Sequence, residues 1–166
     1  ALATGVGSTD LAAAWALGET WLRVPETMKV SYEGTPSEWI YGKDMILALI
    51  GKIGVEGARY MALEFHGDAL AKLGLDDRFT LSNMAIEAGG KTGLINPDEK
   101  LLQYARERAA RHFEPIFADK GAVYASSLTI DVTDMEPQVA MPHLPENVKP
   151  VSEVSGTHVD QVFIGS

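Results

Sequence analysis

The stretch with the clearest chemical potential is residues 82–89, Ser-Asn-Met-Ala-Ile-Glu-Ala-Gly. Asn83 and Glu87 are four residues apart, so on a helix their side chains project side by side from one face. Their neighbours are almost all apolar. A carboxylate beside an amide on such a helix can hold a polar ligand or a bound water and can serve acid–base chemistry. From spacing alone, a solvated stripe on an amphipathic helix is the favoured interpretation.

Two other pairs of residues are spaced so that they could bind a ligand together. Glu64 and His66 alternate along a predicted strand, so both point to one face near the strand end. Two ligands are too few for a metal site, and a hydrogen-bonded histidine is the simpler interpretation. Gly5 and Gly7 precede a predicted helix and could cradle an anion at its start. An ordinary helix start is favoured there.

Residues 90–92, Gly-Lys-Thr, have the ending of a phosphate-binding loop. The full motif requires a glycine at position 85, which is Ala85 in this chain. The order of elements is also wrong, because Lys-Thr follows a helix and enters a strand. The sequence therefore argues against nucleotide binding.

A layered α/β fold is expected to position these residues. Apolar patterns predict strands over 28–32, 60–65, 92–95 and 128–132, and helices over 11–17 (capped by Ser8 or Thr9), 43–53, 69–73 and from Asp76 or Asp77 to Gly89. A further helix is expected to begin with Asn96 as its N-cap and Pro97 in its first turn. Alternating strands and helices predict an α/β/α domain with a mostly parallel sheet.

The chain is predicted to divide into four segments. Half of its eight prolines fall within residues 134–158, which we interpret as a proline-rich linker. Residues 1–26 are assigned to the end of a preceding first domain, 27–133 to a central α/β domain, and 159–166 to the first strand of a following domain. Both ends are expected to be cut points in a longer protein, with a complete small protein as the alternative.

Composition excludes several classes of protein. Of 166 residues, 46% are hydrophobic and 22% are charged, as in globular proteins. A net charge of −9 argues against a nucleic-acid partner or a basic membrane-surface module. No apolar run reaches the length of a membrane span and no signal peptide is visible, so a cytoplasmic location is predicted. The absence of cysteine excludes disulfides and thiolate metal sites built from this chain alone.

Five motifs in one order resemble the aconitase family. They are 5–10 (Gly-Val-Gly-Ser-Thr-Asp), 21–27 (Trp-Leu-Arg-Val-Pro-Glu-Thr), 43–47 (Lys-Asp-Met-Ile-Leu), 64–67 (Glu-Phe-His-Gly) and 82–89. The similarity covers essentially the whole chain and is vaguest over 103–127. Within the family it is greatest to the large subunits of the two-subunit enzymes that act on 3-isopropylmalate or homocitrate. It implies part of an iron–sulfur hydro-lyase, which moves a hydroxyl between adjacent carbons by dehydration and rehydration.

The resemblance also implies roles for individual residues. Glu87 would hydrogen-bond the water or hydroxyl on a [4Fe-4S] cluster, and Asn83 would lie beside the cluster. Ser166 would directly precede the first cysteine ligand, so it is grouped with Asn83 and Glu87 as cofactor-binding. No metal ligand is expected in this chain and no cluster is expected on it alone. The implied partners are the rest of the large subunit, a small subunit with the swivelling domain and a serine base, and a hydroxy-acid substrate.

The expected setting is cytoplasmic amino-acid biosynthesis, that of leucine or a related pathway. The substrate implied by the resemblance is isopropylmalate, homocitrate, citrate or a related acid. The isolated 166-residue chain is expected to be inactive. The alternative function is a non-catalytic α/β binding module that interacts through its acidic surface or its proline-rich segment.

Overall fold

The structure, a computed structural model, describes residues 2–4 and 6–165, and its main element is a five-stranded sheet. Its strands are β1 (Leu2–Thr4), β2 (Thr27–Glu33), β3 (Ala62–His66), β4 (Thr92–Ile95) and β5 (Ser126–Asp131). Their order is β1–β4–β3–β2–β5, with β1 antiparallel to β4 and the other four strands parallel. The predicted α/β class and mostly parallel sheet are confirmed.

Several helices accompany this sheet. They are α1 (Ser8–Leu17), α2 (Gly42–Ile53), α3 (Ala69–Lys72), α4 (Leu75–Asn83) and α5 (Glu99–Arg108), and a 3-10 helix (Met84–Ala88) follows α4. Of these, α2, α3, α4 and the 3-10 helix after α4 supply apolar residues to its core. Alternate residues of β2, ending with Tyr32, are buried in the same core as α2 and α4. The Tyr32 hydroxyl donates to the Met45 carbonyl at 2.9 Å, which ties β2 to α2.

The carboxyl ends of β2 and β3 are held tightly together. After β3 the chain turns at Gly67, whose φ is +104° and whose α-carbon packs beneath the carbonyl oxygen of Tyr32. One residue later, Asp68 Oδ1 accepts a hydrogen bond from the Gly34 amide at 2.9 Å. These contacts fix the loops that lead from the strands to the helices.

The predicted start of α5 at Asn96 is wrong by two residues. Asp98 is the N-cap, and its Oδ1 accepts from the Leu101 amide at 3.0 Å. Both Asn96 and Asp98 are good caps, and the choice is made by a tertiary contact, since Arg78 donates to Asp98 Oδ2 at 2.7 Å. Asn96 instead accepts from the Ala118 amide at 3.1 Å. The caps of α1 and α4 are likewise Gly7 and Gly74, in place of the predicted side-chain caps.

The Arg78–Asp98 pair makes stability depend on pH in the acid range. The hydrogen bond from the Arg78 guanidinium is the main reason that the pKa of Asp98 falls from 3.8 to about 2. Since the folded state favours the carboxylate, this stabilisation is complete above pH 4 and is lost as the pH falls towards 2. The Asp98→Asn variant keeps a capping oxygen but leaves the 3% exposed Arg78 without its counter-charge.

We expect Asp98→Asn to lower the free energy of unfolding at pH 7 by about 1–2 kcal/mol, because Arg78 loses its counter-charge. The loss is no larger because solvent at the half-exposed Asp98 screens the pair. Between pH 4 and 2 the variant should lose less stability than the parent protein. Thermal unfolding midpoints measured across this range test both statements. Parallel curves for the two proteins would contradict the assignment.

The proline-rich segment contains two strands and a short helix, none of which was predicted from the sequence. Strands β6 (Gln138–Ala140) and β7 (Val148–Pro150) pair antiparallel, and a short helix, α6 (Val151–Val154), follows them. This hairpin packs on α2, where the Gln138 amide donates to Asp44 Oδ1 at 2.8 Å. The Val55 amide donates to Glu146 Oε2 at 2.8 Å. Pro137 precedes β6 and Pro150 ends β7, while Pro142 and Pro145 lie in the loop between the strands. None of the four prolines therefore interrupts the pairing.

The predicted strand over 159–166 is not formed within the described part of that stretch, 159–165, whose large apolar side chains are exposed. A strand requires a neighbour to pair with, and this stretch has none among the residues that the structure describes. At the other end of the chain, β1 adds an antiparallel edge strand to the central sheet. The division into four domain segments stays a prediction.

Candidate active-site groove

Asn83 and Glu87 lie in one surface groove of about 670 Å³ between the beginning of α2 and the end of α4. We call it the α2–α4 groove. It is lined by Tyr41, Lys43, Asp77, Phe79, Thr80, Asn83, Met84 and Glu87. The pairing of Asn83 with Glu87, proposed from their spacing, is therefore matched by a shared surface.

The sequence predicted one continuous helix through both residues, but the structure has two helices there. Helix α4 ends at Asn83, and a 3-10 helix carries the chain through Glu87 to Gly89, where φ is +82°. The apolar neighbours Ala85 and Ala88 are buried, which leaves the side chains of Asn83 and Glu87 exposed in the groove. Neither side chain has a hydrogen-bond partner within residues 2–4 and 6–165.

A glycine allows the two walls of the groove to meet. A β-carbon on Gly42 would lie 2.4 Å from the carbonyl oxygen of Asp77, so only glycine permits this approach of α2 to α4. The Asp77 carboxylate then joins the helix starts, since Oδ1 accepts from the Gly42 amide at 2.9 Å and Oδ2 from the Gly74 amide at 3.2 Å. Asp77 thereby satisfies one unpaired amide at the start of each helix.

Ser82 and Gly93 set how closely α4 lies on the sheet. A β-carbon on Gly93 would come within 2.5 Å of the Ser82 α-carbon, so β4 and α4 are in backbone contact there. Ser82 is 2% exposed, and its hydroxyl has no hydrogen-bond partner in the part of the chain that the structure describes. Its small size, rather than its hydroxyl, is what the packing requires.

Substitutions at these two positions should have opposite effects on stability. Ser82→Ala removes an unpaired buried hydroxyl, so we expect the free energy of unfolding to stay level or to rise by up to about 1 kcal/mol. Gly93→Ala must push α4 away from β4, and we expect a loss of about 2–3 kcal/mol. Denaturant or thermal unfolding of both variants is the measurement. A loss above 1 kcal/mol for Ser82→Ala would show that its hydroxyl has a partner.

Glu64 and His66 form a hydrogen-bonded pair, as the simpler interpretation predicted. Glu64 Oε1 and His66 Nε2 are 2.8 Å apart, and the Tyr124 hydroxyl donates to the same Glu64 oxygen at 3.1 Å. Burial, followed by the charge of Glu64, raises the pKa of the Tyr124 hydroxyl. Within the described ranges, no group of three histidine or acidic side chains is placed to hold a metal ion.

The other positions considered from the sequence have plain structural roles or lie outside the described residues. Lys91 leads into β4 with its ammonium 4.9 Å from the centre of the Tyr60 ring, so the phosphate-loop interpretation finds no support. Gly7 caps α1 through its carbonyl, which accepts from the Leu11 amide at 3.0 Å. Gly5 and Ser166 lie outside the described residues.

Sequence reasoning assigned no function to Lys43, Tyr41 or Asp77. Lys43 and Asn83 are 40 positions apart in the chain, and only the crossing of α2 and α4 at Gly42 places them on one groove. The available signal was a lysine at the first position of the helix predicted over 43–53, where the helix dipole disfavours a cation. Among the helices that the structure describes, none is long and apolar enough to cross a membrane.

The structure therefore defines an α/β domain with a polar groove on two crossing helices. A family model described as "Aconitase family (aconitate hydratase)" matches residues 1–163. The chain belongs to the aconitase family, which confirms the resemblance inferred from its motifs.

Curated relatives share more than half of their residues with this chain over its whole length. Two are named 3-isopropylmalate dehydratase large subunit: the protein of Sulfurihydrogenibium sp. (strain YO3AOP1) is 56% identical, and that of Nitratidesulfovibrio vulgaris is 57% identical. A protein of Methanosarcina mazei, named probable methanogen homoaconitase large subunit, is 51% identical. The chain spans 38%, 40% and 42% of these three relatives, respectively.

Proposed function

We propose that this chain is part of the large subunit of an iron–sulfur hydro-lyase that isomerises a hydroxy-acid by dehydration and rehydration. The observation that carries the proposal is identity of 51–57% to dehydratase and homoaconitase large subunits over all 166 residues. This similarity favours an enzyme over the alternative of a non-catalytic binding module. The proposed substrate is 3-isopropylmalate or an acid of the homocitrate type, and the proposed setting is leucine or related biosynthesis in the cytoplasm.

Asn83 and Glu87 are the proposed functional residues of this chain. Glu87 offers a carboxylate that can accept or return a proton, and Asn83 offers an amide that can both donate and accept a hydrogen bond. Both project into the α2–α4 groove without a partner in the described part of the chain. That arrangement supports a role for them towards a reactive group supplied by another part of the enzyme.

The family implies a [4Fe-4S] cluster, which would supply an iron Lewis acid for the substrate hydroxyl. This chain cannot ligate such a cluster by itself, because it contains no cysteine and its described residues offer no three-ligand group. We therefore propose that the thiolate ligands lie elsewhere in the large subunit and that Ser166 directly precedes the first. Asn83 and Glu87 would face the cluster without ligating it.

The complete enzyme is proposed to consist of this chain, the rest of the large subunit and a small subunit. The direct test is to assay the purified complex, reconstituted under anaerobic conditions, with 3-isopropylmalate, homocitrate and citrate. Formation of the unsaturated acid is followed by its ultraviolet absorbance. We expect turnover of one of these acids by the complex and none by the 166-residue chain alone. A complex with intact cluster that turns over none of the three would contradict the proposal.

A further inference from the structure

Lys43 is a cation without a counter-charge in the α2–α4 groove. It is the second residue of α2, its side chain is exposed, and it lines the groove with Asn83 and Glu87. Its ammonium forms no hydrogen bond or ion pair with the residues that the structure describes. The partial positive charge at the start of a helix makes this an unfavourable place for a lysine. Residues that break a local rule in this way are found most often at functional sites.

The carboxylates beside Lys43 are already occupied by backbone amides. Asp44 accepts from the Tyr41 amide at 2.9 Å and from the Gln138 amide at 2.8 Å. Asp77 accepts from the amides of Gly42 and Gly74, one on each oxygen. Both carboxylates are therefore held in place as helix-end and hairpin anchors. The three N–H donors of the Lys43 ammonium have no partner among the described residues, so they are available to a group that enters the groove.

We propose that Lys43 binds a carboxylate of the hydroxy-acid substrate on the α2 side of the groove, opposite Asn83 and Glu87. The inference rests on the proposed function and adds a residue that positions the substrate. Without Lys43, the charged side chains of the groove would be Asp77 and Glu87, which repel an anionic acid. An ammonium is a compact charge on a flexible stem, so it can follow a carboxylate that has no fixed orientation.

The test compares Lys43→Met, Lys43→Arg and Lys52→Met in the complete enzyme. Methionine keeps the length of the side chain without its charge, and Lys52 is an exposed lysine in the last turn of the same helix. We expect Lys43→Met to raise KM for the hydroxy-acid at least tenfold, with kcat changed less than threefold. Lys43→Arg should restore most of the affinity, and Lys52→Met should behave like the parent enzyme.

A binding measurement separates this role from a merely structural one. A polycarboxylate without a hydroxyl, 1,2,3-propanetricarboxylate, is titrated by calorimetry into the complex with and without its cluster. Lys43→Met should weaken its binding about tenfold in both forms, while the unfolding midpoint stays level or rises because an unfavourable charge is removed. An unchanged Kd in either form would overturn the proposal.

Three further outcomes would also overturn it. If Lys43→Met shifts the pH profile of kcat and leaves KM unchanged, Lys43 acts on Glu87 and not on the substrate. In a second outcome, the complex turns over its substrate and loses activity when Glu87 is replaced, while Lys43→Met changes neither kcat nor KM. In that case only the inference about Lys43 fails. If the reconstituted complex turns over no hydroxy-acid, the proposed function fails, and the role of Lys43 falls with it.

Discussion

Replacing Glu87 by glutamine in the complete enzyme should lower kcat by a factor of about 10²–10⁴, the usual contribution of a general acid or base. Glutamine has the same shape and can still form hydrogen bonds, but it cannot take up or release a proton. Because Glu87 is exposed in the groove and no described residue pairs with it, its replacement should leave the fold unchanged. The measurements are kcat, KM and the visible absorbance of the cluster.

A surface glutamate provides the control for the Glu87 variant. Glu107 lies half-exposed on α5, away from the α2–α4 groove, and its carboxylate contacts Arg108 at 3.1 Å. Glu107→Gln should leave kcat within a factor of two of the parent enzyme. An unimpaired kcat in Glu87→Gln, with the cluster fully assembled, would contradict the proposed catalytic role of Glu87. Loss of the cluster in that variant would instead give the residue a role in assembly.

The shared surface of Asn83 and Glu87 could be predicted from the sequence because both residues lie within one short stretch, while their functional role stays a prediction. Two polar residues among apolar ones indicate a polar surface on a partly buried element. Both side chains remain on that surface although the chain changes from α-helix to 3-10 helix after Asn83. Lys43 could not be found in the same way. Its place in the groove depends on the approach of α2 to α4 at Gly42, which no local pattern of residues encodes.

The strands and helices of the central region were predictable because their apolar residues recur with clear periods. The predictions failed where two local signals compete or where a tertiary contact decides. Asp98 rather than Asn96 caps α5, since buried Arg78 holds its carboxylate. The hairpin of β6 and β7 was missed because its strands have three residues each and take their support from α2, where Gly51 allows Val148 to pack closely.

Gly67→Ala is expected to cause the largest loss of stability of any single alanine substitution discussed. A β-carbon at this position would lie 1.9 Å from the carbonyl oxygen of Tyr32 and 2.7 Å from its amide nitrogen. Neither atom can move away without separating β2 from β3 in the centre of the sheet. The left-handed φ of +104° adds about 1–2 kcal/mol for any residue with a β-carbon, and overpacking adds about 1–3 kcal/mol.

We therefore expect Gly67→Ala to lower the free energy of unfolding by about 2–5 kcal/mol, a large part of the 5–15 kcal/mol typical of a domain. Gly156→Ala separates the two contributions, because Gly156 also has a positive φ, +85°, but has open space around its α-carbon. That control should lose about 1–2 kcal/mol. Thermal unfolding midpoints and soluble yields are compared for the two variants. Equal losses would mean that the contact with Tyr32 imposes no constraint, and that the carboxyl ends of β2 and β3 can separate more easily than their packing indicates.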